Sequence, residues 1–385
     1  MRSISDTIAR MASMQARAGR APDGAGSGRL SSLTSFGSNP GSLTAWTYIP
    51  DDLADGAPLV VVLHGCTQTA AAYDRGSGWS ELAERAGFAV LFAEQQRSNN
   101  ANLCFNWFVP SDTRRDSGEA HSIRQMIEAV ASEHGIDRKR IFVTGLSAGG
   151  AMAGVMLATY PDVFAGGAII AGLPYGSAGT VPEAFDRMRG YGGPSGPALK
   201  AKLTEATDHS GPWPTLSVWH GAADATVAPS NADAIVAQWH EVHKVSAEPT
   251  RIDTVGRHRR KVWCDADGRE VVESFTISGM AHGTPLDPNR DDGVGESGPF
   301  MLDASISSTH HIAGFWGIAA PEAARPRTAR PKPKPAPGRP LDGEILMPGQ
   351  SPARAARPAP VETPMQATKV GKVIEDALRA AGLMR

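Results

Sequence analysis

Three residue types that can share one proton-transfer reaction occur in this chain in the order serine, aspartate, histidine, each beyond a short apolar run. Ser147 stands in Arg140-Ile-Phe-Val-Thr-Gly145-Leu-Ser147-Ala-Gly149-Gly150, a G-x-S-x-G turn between a strand pattern and a helix pattern of small residues. A hydroxyl is a weak nucleophile at neutral pH. It needs a base within hydrogen-bond reach and a carboxylate that holds the base in the correct tautomer. Asp224 follows Leu216-Ser-Val-Trp-His220 by a Gly-Ala-Ala turn, and His282 follows the run from Val271 to Ile277 by Ser278-Gly-Met-Ala. The spacing therefore assigns Ser147 as nucleophile, His282 as general base and Asp224 as the residue that orients the base. Asp233 and Asp253 compete for the acid's role. His240, His243, His258, His310 and His311 read as surface or packing histidines.

Attack on a carbonyl moves charge onto its oxygen, which two backbone N–H donors must stabilise. Ala148, directly after the nucleophile, supplies one. The other is expected from His64-Gly65-Cys66, just past the run Leu59 to Leu63, with the Cys66 amide as the favoured donor. A Cys66 nucleophile served by His64 is disfavoured, because residues two apart at a turn rarely form such a pair and no orienting acid follows. No C-x-x-C or H-E-x-x-H spacing marks a metal site, and the serine chemistry calls for no cofactor.

The elements that must position these residues alternate β-branched runs with longer helical patterns. Leu59 to Leu63, Phe88 to Ala93, Ile141 to Thr144, Gly167 to Ala171 and Leu216 to His220 are short and nearly all apolar, as suits strands covered on both faces. Helices are expected over Ser80 to Ala86, Glu119 to His134, Gly149 to Thr159 and Asn231 to His243. The fold class is α/β, a mostly parallel sheet with helices on both faces, and the strand–serine–helix junction makes it an α/β-hydrolase fold. The catalytic domain is expected over 43–318. Before it, 1–42 reads as a flexible segment with a weak amphipathic helix. After it come a Pro-rich disordered linker over 319–365 and an amphipathic helix over 366–385, whose stripe holds Val370, Val373, Ile374, Ala377, Leu378 and Ala381.

Of the 385 residues 41% are hydrophobic and 20% charged, in the globular range, and the net charge of -2 provides no field for nucleic acid. No apolar stretch is long enough for a transmembrane segment. The N-terminal residues lack the apolar run of a secretory signal, and three cysteines are too few and too odd in number for a disulfide framework. A cytoplasmic location is the expectation, with extracellular action by another export route as the alternative.

His64-Gly-Cys-Thr-Gln68, Asn102-Leu-Cys-Phe-Asn-Trp-Phe108, Gly118-Glu-Ala, Gly145-Leu-Ser-Ala-Gly-Gly-Ala-Met152, Tyr160-Pro-Asp-Val-Phe-Ala-Gly-Gly167, His220-Gly-x-x-Asp224-x-x-Val227 and Gly279-Met-Ala-His282 together cover most of Leu43 to Ile318. As a set they resemble the poly(3-hydroxybutyrate) depolymerase esterases, relatives of feruloyl and acetyl xylan esterases. The resemblance implies the same triad, hydrolysis of short-chain hydroxyalkanoate esters, and a substrate cleft near His64, Asn106 and Trp107, with core packing as the equal alternative for Trp107. It also sets Cys66 and Cys104 beside the cleft, where a bridge between them stays open. The chain looks like the intracellular branch of the family. Its expected partners are a polyester or oligoester substrate and, through the C-terminal helix, a granule surface or a protein. The rivals are a feruloyl or acetyl xylan type carbohydrate esterase with the same triad, and a non-catalytic granule or scaffold protein.

Overall fold

The computed structural model describes residues 28–194 and 196–320. A ten-stranded sheet organises them. In chain order its strands are β1 (Ser31–Leu33), β2 (Thr44–Tyr48), β3 (Leu59–Leu63), β4 (Ala89–Glu94), β5 (Ile141–Leu146), β6 (Gly166–Ile170), β7 (Thr215–Gly221), β8 (Arg251–Val255), β9 (His258–Cys264) and β10 (Glu270–Ile277). Across the sheet they run β1-β2-β4-β3-β5-β6-β7-β10-β9-β8. The six central strands from β4 to β10 pair parallel, while β2 on β4, β1 on β2, β9 on β10 and β8 on β9 are antiparallel. Two short strands, β11 (Thr284–Leu286) and β12 (Met301–Asp303), form a separate parallel pair.

The helices are α1 (Ala70–Ser77), α2 (Trp79–Ala86), α3 (Gly118–Glu133), α4 (Ala148–Thr159), α5 (Val181–Met188), α6 (Gly196–Glu205), α7 (Ser230–Trp239) and α8 (Ser308–Phe315). The period of two along each strand divides the core into two layers. On β3, Leu59, Val61 and Leu63 face the layer built with α3, α4 and α7. Val60 and Val62 face the layer built with Trp79, Phe88, Phe275 and Ile312. Each such side chain, fully buried, contributes about 1.5–3 kcal/mol. Every residue of α4 is buried, and its Ala and Gly content lets it lie close on the sheet behind Ser147.

The expected strands and helices are present with ends moved by a few residues, and two expectations need correction. The segment 28–42 is not uniformly a flexible lead-in: Leu30 is buried and Ser31–Leu33 extends the sheet against β2. The helix expected to run to His243 stops at Trp239 and continues only as turns, with Lys244 at positive φ. The basic run Arg257 to Lys261 lies largely in β9, with His258 buried as a packing histidine. There Arg260 pairs with Glu270, Glu273 and Asp253. The expected N-terminal helix and C-terminal helix, and the linker beyond residue 320, lie outside the described residues.

Candidate active site

A parallel sheet brings the loops that follow its strands to one edge, and the residues singled out by chemistry lie on those loops. Ser147 follows β5, Cys66 follows β3, Asp224 follows β7 and His282 follows β10. Ser147 joins β5 to α4 at φ 57° and ψ -117°, a conformation that costs a non-glycine residue of order 1–3 kcal/mol. Its amide donates to Ile170 O at 2.8 Å, which anchors the elbow to β6. The flanking glycines are required by close approach: a Cβ on Gly149 would collide with Leu63 O and His64 O, and one on Gly145 with Gly149 and Leu63 O. That contact seats the nucleophile turn directly against the end of β3 and the start of the His64-Gly65-Cys66 loop.

Gly221 plays the same part on the other side. A Cβ there would run into the carbonyls of Met280 and Ala281, so the loop carrying Asp224 packs on the loop carrying His282. His282 Nδ1 lies 2.7 Å from Asp224 Oδ2. An ionised carboxylate can only accept, so Nδ1 carries the proton and Nε2 is left with its lone pair. Asp224 Oδ1 accepts from Thr226 N at 2.8 Å and Val227 N at 2.9 Å, which fixes the carboxylate plane. Burial would raise the Asp224 carboxyl, but hydrogen bonds from His220 and His282 outweigh it and hold the group well below the ordinary carboxylate range. Ser147 Oγ makes no hydrogen bond to another described residue, so the structure joins acid to base but leaves the serine hydroxyl uncommitted.

Neither the Ala148 amide nor the Cys66 amide donates to any group of the described residues. The first lies at the N-terminus of α4, where helix geometry leaves N–H groups unsatisfied. The second sits in a turn braced by Gly65 N to Gln68 Oε1 (2.9 Å), Gln68 N to Gly65 O (3.3 Å) and Thr67 N to Asn102 O (2.7 Å). A disulfide joins Cys66 to Cys104. One pair therefore does form, which removes the cysteine count as an argument for a reducing compartment and leaves Cys66 no thiol to attack with.

His64, expected beside the substrate, is buried with both ring nitrogens occupied: Nε2 accepts from Gln95 N at 3.1 Å and Nδ1 donates to Gly65 O at 2.8 Å. Burial lowers its pKa, and a ring whose Nε2 accepts from an amide N–H is neutral. It shapes the loop from behind and has no ring nitrogen to offer a ligand. Asn106 is half-buried and bound to Glu119, and Trp107 packs in the core edge-on to Phe108. Phe300 stands edge-on to the His282 ring at 6.0 Å between centroids, on a backbone with φ 63°.

Sequence reasoning assigned no role to His220, Glu119, Gln95 or Phe300. The first two stand within quoted motifs, and only their burial marks them. Among the described residues no group of three or more His, Cys, Asp or Glu is arranged to hold a metal ion, and no helix is long and apolar enough to cross a membrane. A surface hollow of about 470 Å³, walled by Arg115, Asp162, Glu205 and His209 among others, is lined by none of the triad candidates.

A sequence model of the family described as esterase PHB depolymerase matches residues 43–263, a span that contains Ser147 and Asp224 and ends before His282. Over 292 residues, 75% of this chain and 70% of the relative, the sequence is 46% identical to poly(3-hydroxyalkanoate) depolymerase C of Paucimonas lemoignei. Acetylxylan esterase A of Emericella nidulans is 31% identical over 277 residues, 69% of this chain and 88% of its own. Among solved structures, an acetyl xylan esterase from Aspergillus awamori superposes with a TM-score of 0.63 at 24% identity, covering 75% of this chain and 99% of that one, a likeness of fold.

Proposed function

Because the chain belongs to the PHB depolymerase family of esterases and is a carboxylic ester hydrolase, we propose that it hydrolyses poly(3-hydroxybutyrate) or its short oligomers through an acyl-enzyme on Ser147. The observation that carries the reading is the His282–Asp224 hydrogen bond, on the same sheet edge as a strained Ser147 and two uncommitted amides. In the first half-reaction His282 Nε2 takes the hydroxyl proton as Ser147 Oγ bonds to the ester carbon, and the carbonyl electron pair moves onto oxygen. The Ala148 and Cys66 amides receive that oxyanion, worth on the order of 3 kcal/mol per donor. Collapse expels the 3-hydroxyl oxygen of the neighbouring unit, which takes its proton from His282. In the second half-reaction His282 deprotonates water, water attacks the acyl carbon, and Ser147 leaves with the proton returned, releasing a 3-hydroxy acid. Asp224 remains ionised throughout and stabilises the imidazolium.

Ser147→Ala is expected to remove turnover and fluorophosphonate labelling while leaving the fold intact. Wild-type activity in that variant would end the proposal, and absence of labelling in the wild type would favour a non-catalytic scaffold. A carbohydrate esterase with the same triad is the second reading, favoured by the acetylxylan esterase relatives. Product analysis on amorphous polyhydroxybutyrate, its oligomers, a feruloyl ester and acetylated xylan in parallel separates the two. As to location, the Cys66–Cys104 disulfide favours an oxidising compartment over the cytoplasm. Thiol titration of unfolded, unreduced protein should then find one free thiol, Cys264, where three would reverse that assignment. Docking of the C-terminal helix on a granule or protein surface is retained as a proposal on the sequence stripe alone. Deleting 366–385 without loss of granule binding would remove it.

A further inference from the structure

The Cys66 amide reaches its position on a loop that β3 alone does not fix. Thr67, next to it, has φ 67°, and Leu103, next to its disulfide partner, has φ 55°. A β-branched threonine at such a φ persists only where its surroundings over-determine it. The surroundings are the segment from Gln95 to Asn106, which leaves β4, carries Cys104 across to Cys66, and returns. Both ends of that segment are tied to one side chain. Glu119, in the first turn of α3 and almost fully buried, accepts from Gln95 Nε2 at 2.6 Å and Asn106 Nδ2 at 2.8 Å on Oε1, and from Asn106 N at 2.9 Å on Oε2.

The ties continue toward Cys66 by two routes. Gln95 Nε2 also donates to Cys104 O at 3.1 Å, directly at the disulfide. Gln95 N donates to His64 Nε2, and His64 Nδ1 donates to Gly65 O, directly before Cys66. Burial of a carboxyl is costly unless its lone pairs are used, and here three N–H groups converge on it.

We infer that Glu119 is a positioning residue for the Cys66 amide, a single buried carboxyl that closes the loop whose disulfide and histidine hold that amide toward the carbonyl oxygen. The inference rests on the reading of Cys66 N–H as an oxyanion donor. It assigns Glu119 no contact with substrate, so its effect falls on turnover and not on affinity. Displacing a donor by a fraction of an ångström to an ångström weakens stabilisation that exists only in the transition state, an effect that reaches about a hundredfold.

The test is Glu119→Gln. The amide keeps an acceptor for Gln95 and Asn106 Nδ2 but presents N–H to Asn106 N–H, so the clamp opens at one end. With 4-nitrophenyl butyrate, kcat should fall about 10- to 100-fold with KM within about threefold of wild type. The oxyanion-specific readout is the rate ratio of that ester to its thiono analogue, because a thiolate-like oxygen replacement accepts hydrogen bonds weakly. The ratio should shrink in Glu119→Gln by a factor similar to the loss in kcat. Gln95→Met, which removes the other arm, should do the same, and the double variant should add little to either. If Glu119→Gln does not fold, Gln95→Met decides alone. An unchanged ester-to-thionoester ratio in a folded variant, or a loss confined to KM, overturns the inference. Fluorophosphonate labelling of Ser147 in the same preparations separates the two failures. A labelled wild type with an unaffected variant rejects only the role of Glu119, whereas an unlabelled wild type rejects the mechanism beneath it.

Discussion

His220 Nε2 stands 3.3 Å from Asp224 Oδ2, the same oxygen that holds His282 Nδ1. Its Nε2 also lies 3.0 Å from Val227 O, so that nitrogen carries the proton and shares it between carbonyl and carboxylate. His220 thus helps hold the orienting acid ionised. His220→Leu should lower kcat/KM on 4-nitrophenyl butyrate by about three- to tenfold, the effect of losing one shared hydrogen bond of roughly 0.7–1.4 kcal/mol. A change in stability with kcat/KM unaltered would make it a packing residue only.

Asp224→Asn tests the tautomer. The loop amides of Thr226 and Val227 require an acceptor on one side, so the new NH₂ must turn toward His282 Nδ1. That forces the ring proton to Nε2, where the base is needed. Turnover should drop about ten-thousandfold while the fold and substrate affinity persist. Steady-state kinetics on a short-chain ester would expose a smaller loss.

The backbone at Ser147 offers a separation of strain from chemistry. Ser147→Ala keeps a Cβ at φ 57°, whereas Ser147→Gly removes it. Glycine ordinarily costs roughly 0.5–1 kcal/mol in unfolded-chain entropy, and relief of the strain returns about 1–3 kcal/mol. Denaturant unfolding should therefore find Ser147→Gly at least as stable as Ser147→Ala, with both inactive. A clearly less stable glycine variant would mean that the elbow is not strained.

Burial pushes the Glu119 carboxyl up to about 8, against the hydrogen bonds from Asn106 and Gln95 and with help from the nearby Asp112 charge. Between about pH 4.5 and 8 the unfolded chain has lost this proton while the folded chain keeps it. The contribution is therefore full below 4.5 and declines as pH rises toward 8, by up to about 1.4 kcal/mol per pH unit. Unfolding free energies of wild type and Glu119→Gln, measured at pH 5, 6.5 and 8, should diverge accordingly, the wild type falling more steeply. Parallel slopes would show that Glu119 is ionised in the folded protein across the range.

Much of the site was legible because parallel sheets place chemistry where strands end. Ser147, Asp224 and His282 each follow an apolar run, and that position could be read without coordinates. The loop at Cys66 was legible for the same reason. What periodicity could not supply was burial. His64 beside a cleft and His64 beneath it have the same neighbours in sequence, and only the hydrogen bonds to Gln95 N and Gly65 O separate them. Glu119 opens a helix, where an acidic residue is ordinary, so its enclosure by Gln95 and Asn106 left no trace in pattern. The short edge strand Ser31–Leu33 lies in a Gly and Ser-rich stretch, and its order comes from pairing with β2, a tertiary effect that overrides local composition.

β10 is the last strand of the large sheet in the chain, yet it lies between β7 and β9 in space. The serine and its elbow belong to β5 and β6 and can be in place early. The histidine arrives only when β10 pairs with β7, and β10 follows every other strand of that sheet in the chain. An unfinished chain would thus expose a serine without its base. Ester cleavage requires β10 in its place beside β7, so activity regained on refolding reports that this pairing has formed.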